Sequence, residues 1–344
     1  MARIVLADDG IRFDGTTLTA QPLGGVETSV ILLVRELARR GHEVLVRNKC
    51  ERALFHDGVE WAPISDGLPE RADLYIANRG DRLLPLMPKA RRTVFWIHNP
   101  ARYLLKWRYL SKLWRLKPII VFIGDYHAGT YPGWAPDGGR VVIPYGIGDE
   151  FLAAEIDPTP PPPRAIFTSN PLRSLDWLLD LWAEQIRPRV PAAELHLFSG
   201  AATYGGVGAV KTAEMEAVLE RARALVHSGV VLRDPLPKVG LIEELRAARA
   251  MLYRGDVNET FCLAVGEAQA MGVPAVVQDL GSVGERVSDN ETGYVTPDAA
   301  TFAQAAVRLL TDDDLWSRQH RAALDRRSDM GWQQAARAFE ELIP

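Results

Sequence analysis

The sequence predicts an α/β fold made of two doubly wound domains, and three observations support this prediction. The chain has 344 residues, about twice the length of a typical domain. Short apolar runs alternate with amphipathic stretches, which is typical of parallel sheets covered by helices. The proline-rich run DPTPPPPR, at 157–164, interrupts this alternation once and cannot join a sheet. We therefore expect an N-terminal domain over 1–157, a proline linker over 158–164 and a C-terminal domain over 165–325.

The elements follow in order along each half. In the first half, apolar runs with the length of buried strands lie at 4–7, 44–46, 74–77, 93–97, 119–123 and 141–143, and the helix VETSVILLVRELARRG ends at its stop signal, Gly41. In the second half, strands are predicted at 165–169, 194–199, 229–233, 250–254 and 274–278, and helices at 175–186, 213–225, 240–248 and 260–271. Ligands of such sheets bind beyond the carboxyl ends of the strands, so we expect the site there, in a cleft between the domains.

Composition narrows the class of protein. The chain is 47% hydrophobic and 24% charged with a net charge of −4, which excludes a disordered or collagen-like chain and gives no general sign of nucleic-acid binding. Its two cysteines, Cys50 and Cys262, form no Cys-x-x-Cys pair, so neither a disulfide framework nor a thiolate metal site is expected. No apolar run is long enough for a signal peptide or a membrane span. We expect a cytoplasmic protein.

Two acidic side chains, Glu259 and Glu267, lie in an otherwise apolar stretch, NETFCLAVGEAQAMGVPAV at 258–276. On a helix, eight residues at about 100° each place the second carboxylate about 80° from the first, so both can face one ligand. Between them lie the backbone N–H groups of the predicted helix start, and such groups favour a phosphate; these residues are Thr260, Phe261, Cys262 and Leu263. Either the carboxylates bind ligand hydroxyls, or one complements the helix dipole and the other has an internal partner.

The segment ETFCLAVGEAQAMGVPAVVQDLGSVGERVSDNETGYV, at 259–295, resembles the Glu-x7-Glu signature and following strand of the family 4 retaining glycosyltransferases. The resemblance implies a GT-B fold, in which two Rossmann-like domains face a central cleft. It implies that Glu259 holds hydroxyls of a donor sugar, that Glu267 holds the ribose, and that the backbone of residues 261–263 meets the diphosphate. The closing segment, 326–344, resembles the helix that crosses back to the N-terminal domain.

The same resemblance assigns further residues. Gly24 and Gly25 stand in the place of a Gly-Gly loop that touches the donor phosphate, and His98 in the place of a histidine near the donor sugar. The family usually places an arginine and then a lysine on the diphosphate. Here Arg173 occupies the position of the lysine, while Ser169 or Asn170 replaces the arginine. One cation instead of two means either weaker donor activation or a cation supplied from elsewhere.

A basic stretch distinguishes the first domain. Between positions 79 and 117 the chain has eleven Lys and Arg residues and one acidic residue, Asp81, and aromatic residues are interleaved with the charges as in interfacial helices. The predicted acceptor or membrane face consists of Arg102, Lys106, Trp107, Arg108, Lys112 and Arg115. The alternative is an ordinary helix with its aromatic side in the core.

Two motifs that resemble metal- or phosphate-binding sequences are interpreted as ordinary structural segments. The Asp-x-Asp in DDD at 312–314 follows the last strand and is predicted to be a solvated helix start. The stretch YGGVGAV at 204–210 lacks the Lys-Ser/Thr ending of a phosphate-binding loop and is predicted to be a plain loop. No metal site is predicted.

These observations lead to one hypothesis and three alternatives. The hypothesis is a metal-independent retaining glycosyltransferase without a cofactor. It would transfer a sugar from a UDP- or GDP-type nucleotide sugar to a glycan or lipid-linked acceptor, in the synthesis of a cell-surface polysaccharide, lipopolysaccharide or glycolipid. The protein would act peripherally on the inner face of an anionic membrane. No nucleic-acid partner is expected. The alternatives are a non-catalytic nucleotide- or glycan-binding subunit, a GT-B epimerase and a GT-B phosphorylase.

Overall fold

The computed structural model describes residues 1–200 and 212–344, so the glycine-rich stretch at 204–210 lies outside the described residues. Two compact units are present. The first comprises residues 1–20, 25–146 and 332–344, and the second comprises residues 21–24 and 147–331. Each unit is built around its own sheet.

The strands of the first unit are β1 (Arg3–Asp8), β2 (Glu43–Asn48), β3 (Leu54–His56), β4 (Val59–Pro63), β5 (Leu74–Asn78), β6 (Arg92–Trp96), β7 (Ile119–Phe122) and β8 (Arg140–Val142). Their order is β3-β4-β2-β1-β5-β6-β7-β8, parallel except for the β3–β4 pair. The second unit contains β9 (Arg164–Phe167), β10 (Glu194–Phe198), β11 (Val230–Arg233), β12 (Ala250–Tyr253), β13 (Ala275–Gln278) and β14 (Gly293–Thr296). These six strands are all parallel, in the order β11-β10-β9-β12-β13-β14. The two doubly wound sheets confirm the predicted α/β class.

The α-helices of the described residues are α1 (Thr17–Ala20), α2 (Gly25–Arg39), α3 (Trp107–Leu116), α4 (Asp125–Gly129), α5 (Asp149–Leu152), α6 (Leu175–Leu181), α7 (Thr212–Ala224), α8 (Lys238–Arg246), α9 (Leu263–Ala270), α10 (Ala299–Thr311), α11 (Asp313–Asp325) and α12 (Trp332–Glu340). A π-helical turn, Trp182–Ile186, continues α6. Within the described residues, no helix has the length and apolar character needed to cross a bilayer.

Apolar spacing explains why α2 packs on the first sheet. Val30, Leu33, Val34 and Leu37 recur at helical intervals and are fully buried. Ile31 and Leu32 between them are buried as well, so α2 is covered on more than the face that meets the sheet. The closing helix α12 belongs to the same unit, where Glu340 accepts a bidentate hydrogen bond from Arg40 and another from His42. Bidentate arginine–carboxylate pairs fix geometry as well as charge.

The boundary between the two compact units falls between residues 146 and 147, before the proline run. The cause is local packing, because the Ile147 amide donates to the Met330 carbonyl at 2.7 Å and Phe151 lies in the core of the second unit. Arg327 also donates to the Ala154 carbonyl at 2.9 Å. Residues 147–154 and 327–331 therefore belong together, and the interdomain role of the proline run stays a prediction.

Two local differences from the predicted elements have simple causes, and one local prediction is confirmed. The β3–β4 hairpin is short and half exposed, so its apolar pattern is weak. Helix α9 begins at Leu263 rather than at residue 260, because Cys262 has a left-handed backbone with φ 66° that ends the preceding turn. The predicted helix start at DDD is confirmed, since the Asp312 side chain accepts from the Leu315 amide and caps α11.

Candidate functional site

The candidate donor site lies where the strand order of the second sheet reverses. Strand β9 has β10 on one side and β12 on the other, so the chain winds in opposite directions from this point. Ligands of doubly wound sheets bind beyond the carboxyl ends of such a strand pair. Arg173 lies in the loop after β9, and Glu259 lies in the loop after β12. The topology therefore brings together two residues that are 86 positions apart in sequence.

Arg173, Glu259 and Tyr253 form a charged cluster in this position. The Arg173 guanidinium and the Glu259 carboxylate are paired, and the Tyr253 hydroxyl donates to the same carboxylate oxygen at 2.8 Å. Burial alone would lower the pKa of Arg173, but Glu259 and Tyr253 together outweigh burial and raise this pKa, so the guanidinium stays charged. Burial, and then Glu259, raise the pKa of Tyr253 well above its ordinary value, so its hydroxyl stays a donor. The cluster offers one cation and one carboxylate at a mostly buried position.

Two hydrogen bonds and one glycine hold the loops that carry this cluster. The Ser174 hydroxyl, next to Arg173, donates to the Gly255 carbonyl at 3.1 Å and ties the β9 loop to the β12 loop. The Ser282 amide donates to the Glu259 carbonyl at 3.0 Å. Gly281 has φ 70°, and a Cβ there would stand 2.2 Å from the Asp256 carbonyl oxygen. A glycine is therefore needed where the loop after β13 supports the Glu259 loop.

Ser169 and Asn170 stand in the sequence where the resembled family usually has an arginine, and both make hydrogen bonds within the second unit. The Asn170 side chain accepts from the Leu172 amide at 2.9 Å, and its carbonyl accepts from the Arg173 amide at 2.9 Å. Ser169 offers its carbonyl to the Ser199 hydroxyl at 2.6 Å. These two residues shape the loop and supply no positive charge.

Glu267 lies in the middle of α9 and pairs with a lysine that sequence reasoning missed. The Lys238 ammonium group, at the start of α8, donates to Oε1 of Glu267 at 2.6 Å, and both side chains are largely buried. Burial raises the pKa of Glu267, and Lys238 opposes that rise. The internal-partner alternative therefore holds for the Glu267 side chain, whose partner is Lys238.

The segment between the two glutamates differs from the prediction. Because α9 begins at Leu263, its first unpaired N–H groups belong to residues 263–265 rather than 260–263, and the Gly266 amide makes the first intrahelical bond, to the Cys262 carbonyl. Thr260, Phe261 and Cys262 are buried in the turn before the helix. The angular argument for Glu259 and Glu267 on one helix is therefore wrong, since Glu259 precedes the helix.

Cys262 is a structural thiol. It is buried, and desolvation, followed by the charge of Glu259, raises its pKa well above the ordinary value. A thiol held protonated is neither a nucleophile nor a metal ligand. Its left-handed backbone is a conformation that glycine adopts without strain.

His98 belongs to a buried polar chain at the carboxyl edge of the first sheet. The Asn78 amide donates to Asp8 at 2.5 Å, so its oxygen faces Nε2 of His98, also at 2.5 Å. An amide oxygen only accepts, which assigns the His98 proton to Nε2, and Nδ1 accepts from the Tyr145 hydroxyl. Burial, and then the Arg79 charge, hold the pKa of His98 well below its ordinary value. His98 is therefore neutral near pH 7.

Gly24 and Gly25 fall in different units. Gly24 closes the short segment 21–24 of the second unit, and Gly25 is the first residue of α2 in the first unit. The start of α2 is fixed by Glu27, which accepts from Arg79 at 2.9 Å, and Arg79 also makes a bidentate pair with Asp8. The helix start next to the glycines is thus tied to the ends of β1 and β5.

The basic stretch places two tryptophans in solvent. Trp107 and Trp114 of α3 are 79% and 71% exposed, while Tyr109 and Leu113 of the same helix are buried. Arg102, Lys106, Arg108 and Arg115 are also exposed. Lys112 differs from this set, because it pairs with Asp81 at 2.5 Å and is only partly exposed. The aromatic side chains of α3 are thus divided, with Tyr109 in the core and Trp107 and Trp114 in solvent.

Sequence reasoning missed four polar residues that the structure places in these clusters. They are Asp8, Asn78, Lys238 and Tyr253. The signal was present for three of them: Asp8, Asn78 and Tyr253 are the last residues of buried strands, at the edge where ligands bind. Lys238 is the first residue of α8 and not the last residue of a strand, so the sequence contains no such indication for it. Within residues 1–200 and 212–344, no group of three or more His, Cys, Asp or Glu side chains could hold a metal ion.

The second half of the chain is similar to a known family of domains. Residues 163–312 match the family model described as glycosyl transferases group 1. A D-inositol 3-phosphate glycosyltransferase from Frankia alni is 32% identical over 171 residues, 49% of this chain and 41% of that protein. The corresponding enzyme from Nocardia farcinica is 29% identical over 209 residues, 59% of this chain and 45% of that protein. The matched regions thus span less than half the length of these curated relatives.

Solved structures match over the whole chain. Sucrose-phosphate synthase from Thermosynechococcus elongatus superposes with a TM-score of 0.76, 16% identity, and 99% and 98% coverage of this chain and that one. HepE from Anabaena, solved in complex with UDP and glucose, gives a TM-score of 0.72, 13% identity and 99% coverage of both chains. Residues 163–312 thus match a group 1 glycosyl transferase domain, in a chain that has the GT-B fold of two Rossmann-like α/β domains.

Proposed function

We propose that this chain is a retaining, metal-independent glycosyltransferase that moves a sugar from a nucleoside-diphosphate sugar to a glycan or lipid-linked acceptor. The single observation that carries the proposal is the cluster of Arg173 and Glu259 at the strand-order reversal, beside the N-terminus of α9. A cation, a carboxylate and free backbone N–H groups are the chemistry needed for a diphosphate that carries a sugar.

Each group has a distinct task in the proposed reaction. Glu259 accepts hydrogen bonds from hydroxyls of the donor sugar, and Glu267 accepts them from the ribose. Arg173 and the N–H groups at the start of α9 stabilise the charge that develops on the departing diphosphate. Gly24 and Gly25, before the start of α2, stay contacts for the diphosphate that the resemblance alone predicts.

His98 has a positioning task in this proposal. Its Nε2 proton is directed at Asn78, and its pKa lies well below the ordinary value because of burial. A neutral imidazole with both ring nitrogens engaged is a poor general acid or base. We assign His98 to holding the Asn78 and Tyr145 side chains in place at the carboxyl edge of the first sheet.

Nucleotide binding tests the proposal directly. Wild type and Glu267→Ala are heated with UDP, GDP and their sugars, and one nucleotide at 100 times its dissociation constant should stabilise the wild type by about 2.7 kcal/mol. The stabilisation should disappear in Glu267→Ala and persist in Glu243→Ala, which removes an exposed carboxylate of α8. If no nucleotide stabilises the wild type, the donor site is wrongly assigned.

Product analysis separates the alternatives. A transferase releases nucleoside diphosphate and forms a glycoside only when an acceptor is present. An epimerase interconverts nucleotide sugars without an acceptor, a phosphorylase requires inorganic phosphate, and a non-catalytic subunit binds the nucleotide with no turnover. A donor consumed without an acceptor product, and unaffected by Glu259→Ala, would contradict the proposed transfer.

The acceptor side is proposed to dock on an anionic membrane through α3. Trp107 and Trp114 are seven residues apart, so they project about 20° from each other on the helix, and exposed basic residues flank them. Exposed tryptophan next to lysine and arginine is typical of helices that lie at a membrane interface. A lipid-linked acceptor would be presented at such a surface.

Vesicle binding checks this docking surface. We expect the wild type to sediment with vesicles that contain phosphatidylglycerol and to bind less as salt rises. The double variant Trp107→Ala/Trp114→Ala should bind about tenfold or more weakly, because two interfacial side chains are lost. Trp134→Ala is the matched control, since Trp134 is 71% exposed and lies outside α3. Equal losses in the two variants would contradict a docking role specific to α3.

A further inference from the structure

Lys238 has a contact that the reaction assigned above does not use. Its ammonium group donates to Oε1 of Glu267 at 2.6 Å, and the exposed fractions of the two side chains are 16% and 5%. Among the described residues, no hydrogen bond to Oε2 of Glu267 is present. A carboxylate has about four acceptor positions, so the contact with Lys238 leaves room for ligand hydroxyls on the second oxygen.

The surroundings of Glu267 make that contact important for its charge. Neighbours on its own helix are apolar, with Val265 and Ala268 fully buried. Helix α5 brings Glu150, whose negative charge raises the pKa of Glu267 in addition to burial, and α8 brings Lys238, which lowers it. Lys238 is the cation that opposes both effects. Without it, an isolated buried carboxylate would take up a proton near neutral pH.

The protonation state matters for a diol ligand. A carboxylate accepts hydrogen bonds from two hydroxyls, while a protonated carboxyl group presents a donor of its own and accepts fewer. Hydrogen bonds to a charged acceptor are also about twice as strong as neutral ones. A ribose that donates two hydroxyls therefore binds the charged form best.

We propose that Lys238 is a positioning residue for nucleotide binding: its ammonium group keeps the Glu267 carboxylate charged and oriented so that it accepts hydrogen bonds from the ribose hydroxyls. This inference rests on the proposed function, because it assumes that Glu267 meets the ribose. It also gives a task to a lysine that the proposed reaction does not otherwise use.

The pH dependence of nucleotide affinity tests the inference. UDP and GDP are titrated calorimetrically into wild type and Lys238→Met between about pH 6 and about pH 9. Loss of a close opposite charge moves a carboxyl pKa by about 1–3 units. Affinity of Lys238→Met should therefore fall about tenfold for each pH unit below its raised carboxyl pKa and recover toward the wild-type value in alkali. The wild type should change much less over this range.

Three variants separate positioning from general damage. Lys238→Arg keeps the charge and should restore the wild-type pH profile. Lys238→Met/Glu267→Gln replaces the carboxyl group by an amide and should bind weakly with no pH dependence. Arg246→Met removes a positive charge from the same helix, where Arg246 pairs with Glu243, and should leave the affinity unchanged.

The outcomes of these titrations distinguish the two levels of inference. If neither nucleotide binds the wild type, the proposed function fails, and the role of Lys238 fails with it. If a nucleotide binds the wild type and Lys238→Met binds it with an unchanged pH profile, the proposed function stands and the role of Lys238 is overturned. Equal loss of affinity at every pH would likewise overturn it, because a merely structural role predicts that result.

Discussion

Replacing Arg173 by methionine should lower kcat by about 100- to 1,000-fold, the usual effect of removing one donor to a charge that develops in the transition state. Arg173 is the cation that pairs with Glu259 beside the start of α9, and the loop positions where a second cation is usual hold Ser169 and Asn170 instead. The loss should appear mainly in kcat rather than in KM, because the diphosphate gains charge as it leaves. Steady-state kinetics with the nucleotide sugar identified by the binding screen measures both.

Controls for Arg173 must consider its partner. In Arg173→Met, the largely buried Glu259 keeps the Tyr253 hydroxyl but loses its counter-charge, so some stability is also lost. Arg173→Lys retains the charge and should recover a large part of kcat, whereas Arg233→Met changes an exposed arginine, the last residue of β11, and should have no effect. A folded Arg173→Met protein that turns over at the wild-type rate would show that another cation receives the leaving group.

Gly281→Ala should destabilise the second unit by about 2–6 kcal/mol, the sum of a left-handed non-glycine residue and an overpacked contact. Gly281 has φ 70°, and an added Cβ would meet the carbonyl oxygens of Asp256 at 2.2 Å and Glu259 at 2.8 Å. Neither neighbour is the end of a flexible side chain. The loop that carries Glu259 would have to shift, so nucleotide-sugar binding should weaken as well. Denaturant unfolding and calorimetric titration measure the two effects.

A second glycine separates conformational strain from the clash. Gly41 has φ 91° and no atom within 4 Å of an added Cβ, so Gly41→Ala has the strain without the contact. We expect Gly41→Ala to cost about 1–3 kcal/mol and to leave donor binding unchanged. If Gly281→Ala costs no more than Gly41→Ala and binds the donor normally, then Gly281 does not support the Glu259 loop.

The sequence predicted the architecture well for a physical reason. Buried parallel strands have continuous apolar runs, and eleven runs in the chain were therefore visible without further information. The β3–β4 hairpin was invisible because Phe55 points into solvent and the strands are short. Strand β14 begins at Gly293, whose lack of a side chain weakens a strand pattern.

The candidate site was predictable in part. Arg173, Glu259 and Glu267 could be found because a charged side chain in an apolar segment has a desolvation cost that calls for an explanation. The partner of Glu267 could not be found, since Lys238 precedes Glu267 by 29 positions and only the folded chain brings them together. The exact start of α9 also depended on one backbone angle, that of Cys262, which no residue pattern indicates.

The two buried cysteines allow local unfolding of the native protein to be measured by thiol labelling. Cys50 lies in the first unit and Cys262 in the second, and both thiols are buried. A thiol reagent added to the native protein can react only when the surrounding structure opens, and its rate measures the free energy of that opening. Because each unit holds one thiol, labelling followed by mass spectrometry would report the local breathing of the two halves separately, with no substitution needed.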